Sequence, residues 1–163
     1  MIDVKAVGMD ILLCSAYKFF GPHLGIIYCK KDVGEQIKTA RVMAYDNVEM
    51  PYRLETGTIA MEAVVGAAEA VEFIADIGRQ HSQYFEEETA ALSGRRKRIA
   101  SGLLAIDKYE EALADQLRAG ISQLPGAKVY GPPVGHPRTA TVSFTISGIH
   151  SNKIARFLAE RGI

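Results

Sequence analysis

Cys14-Ser15-Ala16-Tyr17-Lys18-Phe19-Phe20-Gly21-Pro22-His23-Leu24-Gly25 is the stretch on which the reading of this 163-residue chain turns. Before it, the apolar run Met9 to Leu13 reads as a buried strand; after it, Leu24 to Tyr28 reads as a second. Between them stand two small residues, an aromatic, one lysine and a Gly-Pro turn. A lysine at the mouth of a buried hairpin is a poor choice for packing, because an ammonium is costly to desolvate. It suits amine chemistry: desolvation favours the neutral amine, which can attack a carbonyl and form a Schiff base. The competing reading is a lysine that snorkels out of a turn.

Working outward, Asp32 is placed to cap a short helix reaching about Ala40, with Glu35 completing a capping-box pattern. Residues 41–58 contain Pro51 and Gly57, lack periodicity and read as a long functional loop. From Ala60 the apolar positions recur at helical spacing, giving a helix with a wide face of small residues that ends near Gly78. Residues 82–124 read as long amphipathic helices, with Ser93-Gly94 and Asp107 as candidate breaks and Pro125-Gly126 as the stop. Ala127 to Tyr130 is a short strand, 131–137 a proline-rich loop, and 139–146 a half-buried strand in which Thr141, Ser143 and Thr145 alternate with Val142, Phe144 and Ile146. Ser151 is placed to cap a last helix to about Arg161. There is no internal repeat and no low-complexity segment.

Bulk properties bound the function. With 48% hydrophobic residues a core is readily built, and 19 basic against 19 acidic residues leave no field that favours nucleic acid or an anionic membrane. The run Arg95 to Arg98, following Glu86 to Glu88, reads as a solvated helix face rather than a nucleic-acid contact. No apolar stretch reaches membrane-spanning length and the N-terminus lacks a signal-peptide pattern, so the expected location is the cytoplasm. Cys14 and Cys29 have no metal-ligand spacing; they could face each other across the hairpin, and a reduced pair is expected. Cys14 reads as a small core residue on the same strand face as Lys18. His23 reads as a turn residue, and His81, His136 and His150 are too dispersed for a metal set.

Three landmarks carry a family resemblance: Ser15-Ala16-Tyr17-Lys18 with Gly21-Pro22 and the strand from Gly25; Arg53-Leu54-Glu55-Thr56-Gly57-Thr58 running into the helix through Gly66; and Thr139 to Phe144 with Gly148, His150 and a helix ending in Glu160-Arg161-Gly162-Ile163. Together they resemble the class V aminotransferase and cysteine desulfurase family, pyridoxal-phosphate (PLP) enzymes of the aspartate-aminotransferase fold. The resemblance covers nearly the whole chain. It implies an α/β protein, part of a three-layer α/β/α PLP-binding large domain over residues 1–90 and part of a small α/β domain over 91–163. Family members are much longer, so it also implies an internal-to-C-terminal piece.

The resemblance assigns roles residue by residue. Lys18 would hold the cofactor as an internal aldimine and move protons at the substrate carbon. Ser15 matches the family's phosphate-contacting hydroxyl, and it also reads as a strand-end serine satisfied by backbone. Tyr17 stands where many desulfurases have a histidine; its hydroxyl could reach the phosphate, or its ring could simply pack. Gly57 and Thr58 match residues that reach the phosphate of the neighbouring subunit's cofactor, implying a homodimer, while Thr58 alone also reads as a helix N-cap. Arg53 reads either as an ion-pair partner or as lining the site. The acid for the pyridine nitrogen, the stacking ring and the main phosphate cradle would lie before Met1; the carboxylate-binding arginine and any sulfur-accepting cysteine would lie beyond Ile163. The activity implied is conversion of an amino acid, cysteine to alanine plus sulfur. Alternatives are a class V aminotransferase of other substrate, or a non-catalytic module that binds a protein partner.

Overall fold

The computed structural model describes residues 2–40, 48–55, 57–133 and 135–163 and is mixed α/β. Two compact units divide it, Met1–Leu103 and Leu104–Ile163. The first holds α1 (Val4–Val7), β1 (Ile11–Ser15), a 3-10 turn (Ala16–Phe19), β2 (Gly25–Cys29), α2 (Lys31–Gln36), a 3-10 turn (Tyr52–Leu54), α3 (Met61–His81), a 3-10 turn (Ser82–Tyr84) and the first part of α4 (Gly94–Ser122). The second holds the rest of α4, then β3 (Ala127–Tyr130), β4 (Ser143–Ile146) and α5 (Ser151–Ala159). Residues 41–47 of the long loop, Thr56 of the second landmark and Val134 of the proline-rich loop lie outside the described residues.

Strands β1 and β2 form the expected antiparallel hairpin, with Ile11 opposite Cys29 and Cys14 opposite Ile26. The two cysteines are therefore not cross-strand partners; both are free. The hairpin is less buried than its composition suggests, with Leu13 70% and Ile27 51% exposed and Cys14 exposed as well. A run apolar on both faces has the composition of a strand covered on both sides. Among the described residues, the face carrying Ile11, Leu13 and Ile27 has little over it. Cys14 is thus not a core residue. Alternation also stops at Ser15, where the 3-10 turn begins, so it no longer relates Cys14 to Lys18.

The core of the first unit is a helix crossing. Ala67, Ala70, Ile74, Ala75 and Gly78 of α3 are buried at three- and four-residue intervals, joined by Phe85, Ala100 and Ser101. Gly78 does not end the helix, which runs on to His81. It serves close approach instead: a Cβ on Gly78 would fall on the Arg98 carbonyl and 2.7 Å from the Gly102 nitrogen. One on Gly102 would fall on the Ile74 carbonyl, 3.1 Å from the Gly78 nitrogen. Backbone meets backbone here, and neither side has a flexible atom that could yield.

Helix α4 starts at the expected Ser93-Gly94 break but passes Asp107 without interruption. Two carboxylates engage its basic run: Glu72 of α3 accepts from Arg95 Nε at 2.8 Å, and Asp3 accepts from Arg96. Asp3 also caps α1, accepting from the Lys5 and Ala6 amides at 3.0 and 3.1 Å. The Arg96 hydrogen bond, then those two amides, hold its carboxyl below the usual carboxylate range. At α2 the N-cap is Lys30 rather than Asp32, and the helix stops at Gln36, short of Ala40. Lys30 is held by Asp10 at 2.7 Å, which raises its amine above the ordinary lysine value.

In the second unit β3 and β4 pair antiparallel, Ala127 opposite Ile146, and the regular strand covers only 143–146 of the expected 139–146. Its alternation is as expected, with Phe144 and Ile146 more covered than Ser143 and Thr145. Two arginines occupy the stretch before it. Arg118 of α4, 9% exposed, donates to the Thr141 carbonyl at 2.8 Å, and Arg138 pairs with Asp115 of α4. At α5 the cap is His150, whose Nδ1 accepts from the Asn152 amide at 3.2 Å, rather than Ser151.

Two outcomes are expected. Gly78→Ala should destabilise the chain by about 1–3 kcal/mol, as overpacking does in a core that cannot relax. Gly120→Ala, on exposed α4 with nothing near its Cβ, should instead stabilise it by up to about 1 kcal/mol; thermal melts of the two variants check the contrast. Asp3→Asn keeps a good cap but removes the charge. Because the folded-state value of Asp3 is depressed, its contribution is present above the unfolded value of about 3.9 and lost as pH falls through the folded one. The melting deficit of Asp3→Asn should therefore be seen at neutral pH and close on acidification; a deficit independent of pH contradicts it.

Candidate functional site

The loop carrying Lys18 closes on Ala16, which is fully buried. The Ala16 amide donates to the Leu24 carbonyl at 2.8 Å, and the Ala16 carbonyl accepts from the Gly21 amide at 2.9 Å. Gly21 has to be glycine: a Cβ there would stand 2.9 Å from both the Cβ and the oxygen of Ala16. Phe20 closes the 3-10 turn in the left-handed region, φ 69°. For a bulky residue that costs about 1–2 kcal/mol. An edge-to-face contact with Phe73 of α3, centroids 5.6 Å apart, offsets about 0.5–1.5 kcal/mol of it. Pro22 lies against Gly66 of α3, where a Cβ would meet its ring at 3.4 Å. Gly66 and Phe73 are two helical turns apart on one face, so α3 supports the loop at two points.

This closure turns Ala16 inward and Tyr17 and Lys18 outward; both are exposed. The expectation of a desolvated lysine is therefore not met in this chain, because a 3-10 turn rather than a continuing strand carries it. The Lys18 amine rests 4.9 Å from the centre of the Tyr17 ring, which in turn lies 5.1 Å from the His23 ring. Ser15 ends β1 opposite Gly25, and its hydroxyl makes no capping hydrogen bond. The loop thus gathers a hydroxyl, a phenol, an imidazole and an amine, with no carboxylate between Cys14 and Gly25. Such a set of donors and one nucleophilic amine fits an anionic phosphorylated aldehyde such as PLP.

Gly57 and Thr58 lie elsewhere, on the wall of an open cleft of about 760 Å³ that also takes in Phe19, Gly25, Ile26 and Val64. Lys18, Ser15 and Tyr17 do not line this cleft; Phe19, next to the lysine, does. The capping reading of Thr58 does not hold, since the N-cap of α3 is Ala60 and no side chain caps the helix. Among the described residues on the cleft wall, Glu55 is the charged one. Arg53 is not among the described residues lining the cleft and donates its Nε to the Ile37 carbonyl at 3.1 Å, a tie to backbone. Among the described residues no group of three His, Cys, Asp or Glu could hold a metal, and no helix is long and apolar enough to cross a membrane. The sequence places His23 in the turn, as found, but neither its ring contact with Tyr17 nor the part of Phe73 was read from it.

Comparison with known proteins shows the family. The family model for aminotransferase class-V matches residues 1–101 and 97–163, and the chain belongs to that family. A probable cysteine desulfurase of Halalkalibacterium halodurans is 29% identical over 173 residues, covering 99% of this chain and 36% of that relative. One of Synechocystis sp. is 25% identical over 174 residues, covering 99% and 36%, and the cysteine desulfurase of Haloferax volcanii is 25% identical over 173, covering 99% and 35%. The chain spans about a third of the length of these curated relatives.

Gly21→Ala should push the loop off Ala16, lowering stability by about 1–3 kcal/mol and abolishing the Phe20–Phe73 contact. Thermal melting and the ring resonances of Phe73 check it; an unchanged melt with Phe73 still shifted by Phe20 contradicts it.

Proposed function

We propose that this chain carries the cofactor lysine of a PLP-dependent class V enzyme that acts on an amino acid in the manner of a cysteine desulfurase, converting cysteine to alanine with release of sulfur. The observation that carries the reading is the Lys18 amine, displayed on a closed loop among donors and without a competing carboxylate. The names borne by the relatives support the choice of reaction. PLP, when bound, supplies an electron sink for negative charge developing on a substrate carbon.

This chain's residues do the rest. Lys18 Nζ is the amine that would hold the cofactor through its aldehyde, and it would take and return the proton at the substrate carbon. Ser15 Oγ and the Tyr17 hydroxyl would donate to the phosphate. Gly57 and Thr58, exposed ahead of α3, are assigned to the phosphate of a second subunit's cofactor, so the working form is a cytoplasmic homodimer. Residues 1–90 are assigned to the cofactor-binding large domain and 91–163 to the small domain.

A second reading, a partner-binding module, has the exposed stripe Tyr109, Leu113, Leu117 and Leu124 along and just beyond α4 in its favour. Borohydride reduction of the full chain with PLP, followed by peptide mapping, separates the two. The cofactor reading expects the tag on Lys18, its loss in Lys18→Ala, and a melting temperature raised by PLP. Tagging spread evenly over the lysines, with no change in melting, favours the partner-binding module.

A further inference from the structure

His23 is exposed, sits in no core and has no role in the function above, yet its backbone is tightly fixed. The Leu24 amide donates to the Pro22 carbonyl at 2.8 Å, a three-residue turn centred on His23. Gly21-Pro22 before it is held by the Gly21–Ala16 hydrogen bond and by the contact of Pro22 with Gly66. The fixed backbone sets the direction of the His23 Cα–Cβ bond, and the ring lies toward that of Tyr17: centroids 5.1 Å apart, planes tilted by 33°. The separation is that of an offset aromatic pair. Tyr17 is itself 48% exposed, so core packing does not orient it; its aromatic neighbour is His23. Lys18 Nζ lies over this same ring at 4.9 Å, within cation–π range.

We propose that His23 is a positioning residue for the Lys18 amine, acting through the Tyr17 ring. The inference rests on Lys18 being the cofactor lysine. The imidazole restricts where the phenol ring can turn, and the ring then gives the end of a four-carbon chain a defined place over its face. Without that stack the Tyr17 ring reorients and the lysine tail samples its rotamers in water. What the loop contributes is a prearranged amine.

The test uses the full chain as wild type, His23→Ala and His23→Phe, the last keeping a ring but no titratable nitrogen. The first readout needs no cofactor. Ring-current displacement of the Lys18 methylene protons next to Nζ, seen by NMR and assigned with Lys18→Arg, should collapse in His23→Ala and return in His23→Phe. In the second readout, PLP and borohydride are added and the tag at Lys18 is compared with that at the other lysines. Selectivity for Lys18 should fall roughly threefold in His23→Ala, as when a placed chain returns to three staggered rotamers, and recover in His23→Phe. Either readout left unchanged by His23→Ala overturns the proposal. A wild-type tag at another lysine overturns the cofactor reading instead, whatever the NMR shows.

Discussion

One hydrogen bond, from the Gly21 amide to the Ala16 carbonyl, holds the candidate site together. It closes the six residues Ala16 to Gly21 into a turn too tight for any side chain at Gly21, over an alanine with no solvent access. Everything displayed by the loop follows from it. Ala16 must face in, so Tyr17 and Lys18 face out; Phe20 must take a left-handed backbone, so its ring is thrown onto Phe73; Pro22 is carried onto Gly66. The loop is shaped by backbone contacts and small residues, which leaves its polar side chains free for a ligand.

Helix α3 serves two faces at once. One accepts the loop at Gly66 and Phe73; the adjacent face, through Ala67, Ala70, Ile74 and Gly78, accepts α4. Small residues serve both: at Gly78 the α4 backbone comes close, and at Gly66 the Pro22 ring does. The residues Gly57 and Thr58 precede this same helix, and no side chain caps its first turn. The loop and the approach to α3 are thereby referred to one rigid element.

Much of this was legible in the residues. The apolar runs about a Gly-Pro turn gave the hairpin, the small-residue periodicity gave α3, and the family landmarks gave the class. What was misread has physical causes. Gly78 looked like a helix stop because glycine weakens helices, whereas here it admits the backbone of α4. Asp32 and Ser151 looked like caps, but Lys30 and His150 hold those positions. Lys18 and Cys14 looked buried because apolar sequence records what a strand can be covered by, whereas among the described residues both stand exposed. The place of His23 depends on a turn geometry that composition does not encode.

Hydrogen exchange at the Gly21 and Ala16 amides, measured on the chain without cofactor, tests the loop closure most directly. If the loop is closed and supported by α3, both amides exchange as slowly as those of the β1–β2 ladder. Exchange of the Gly21 amide at the rate of a free peptide would mean that nothing in the chain itself holds Lys18 in place.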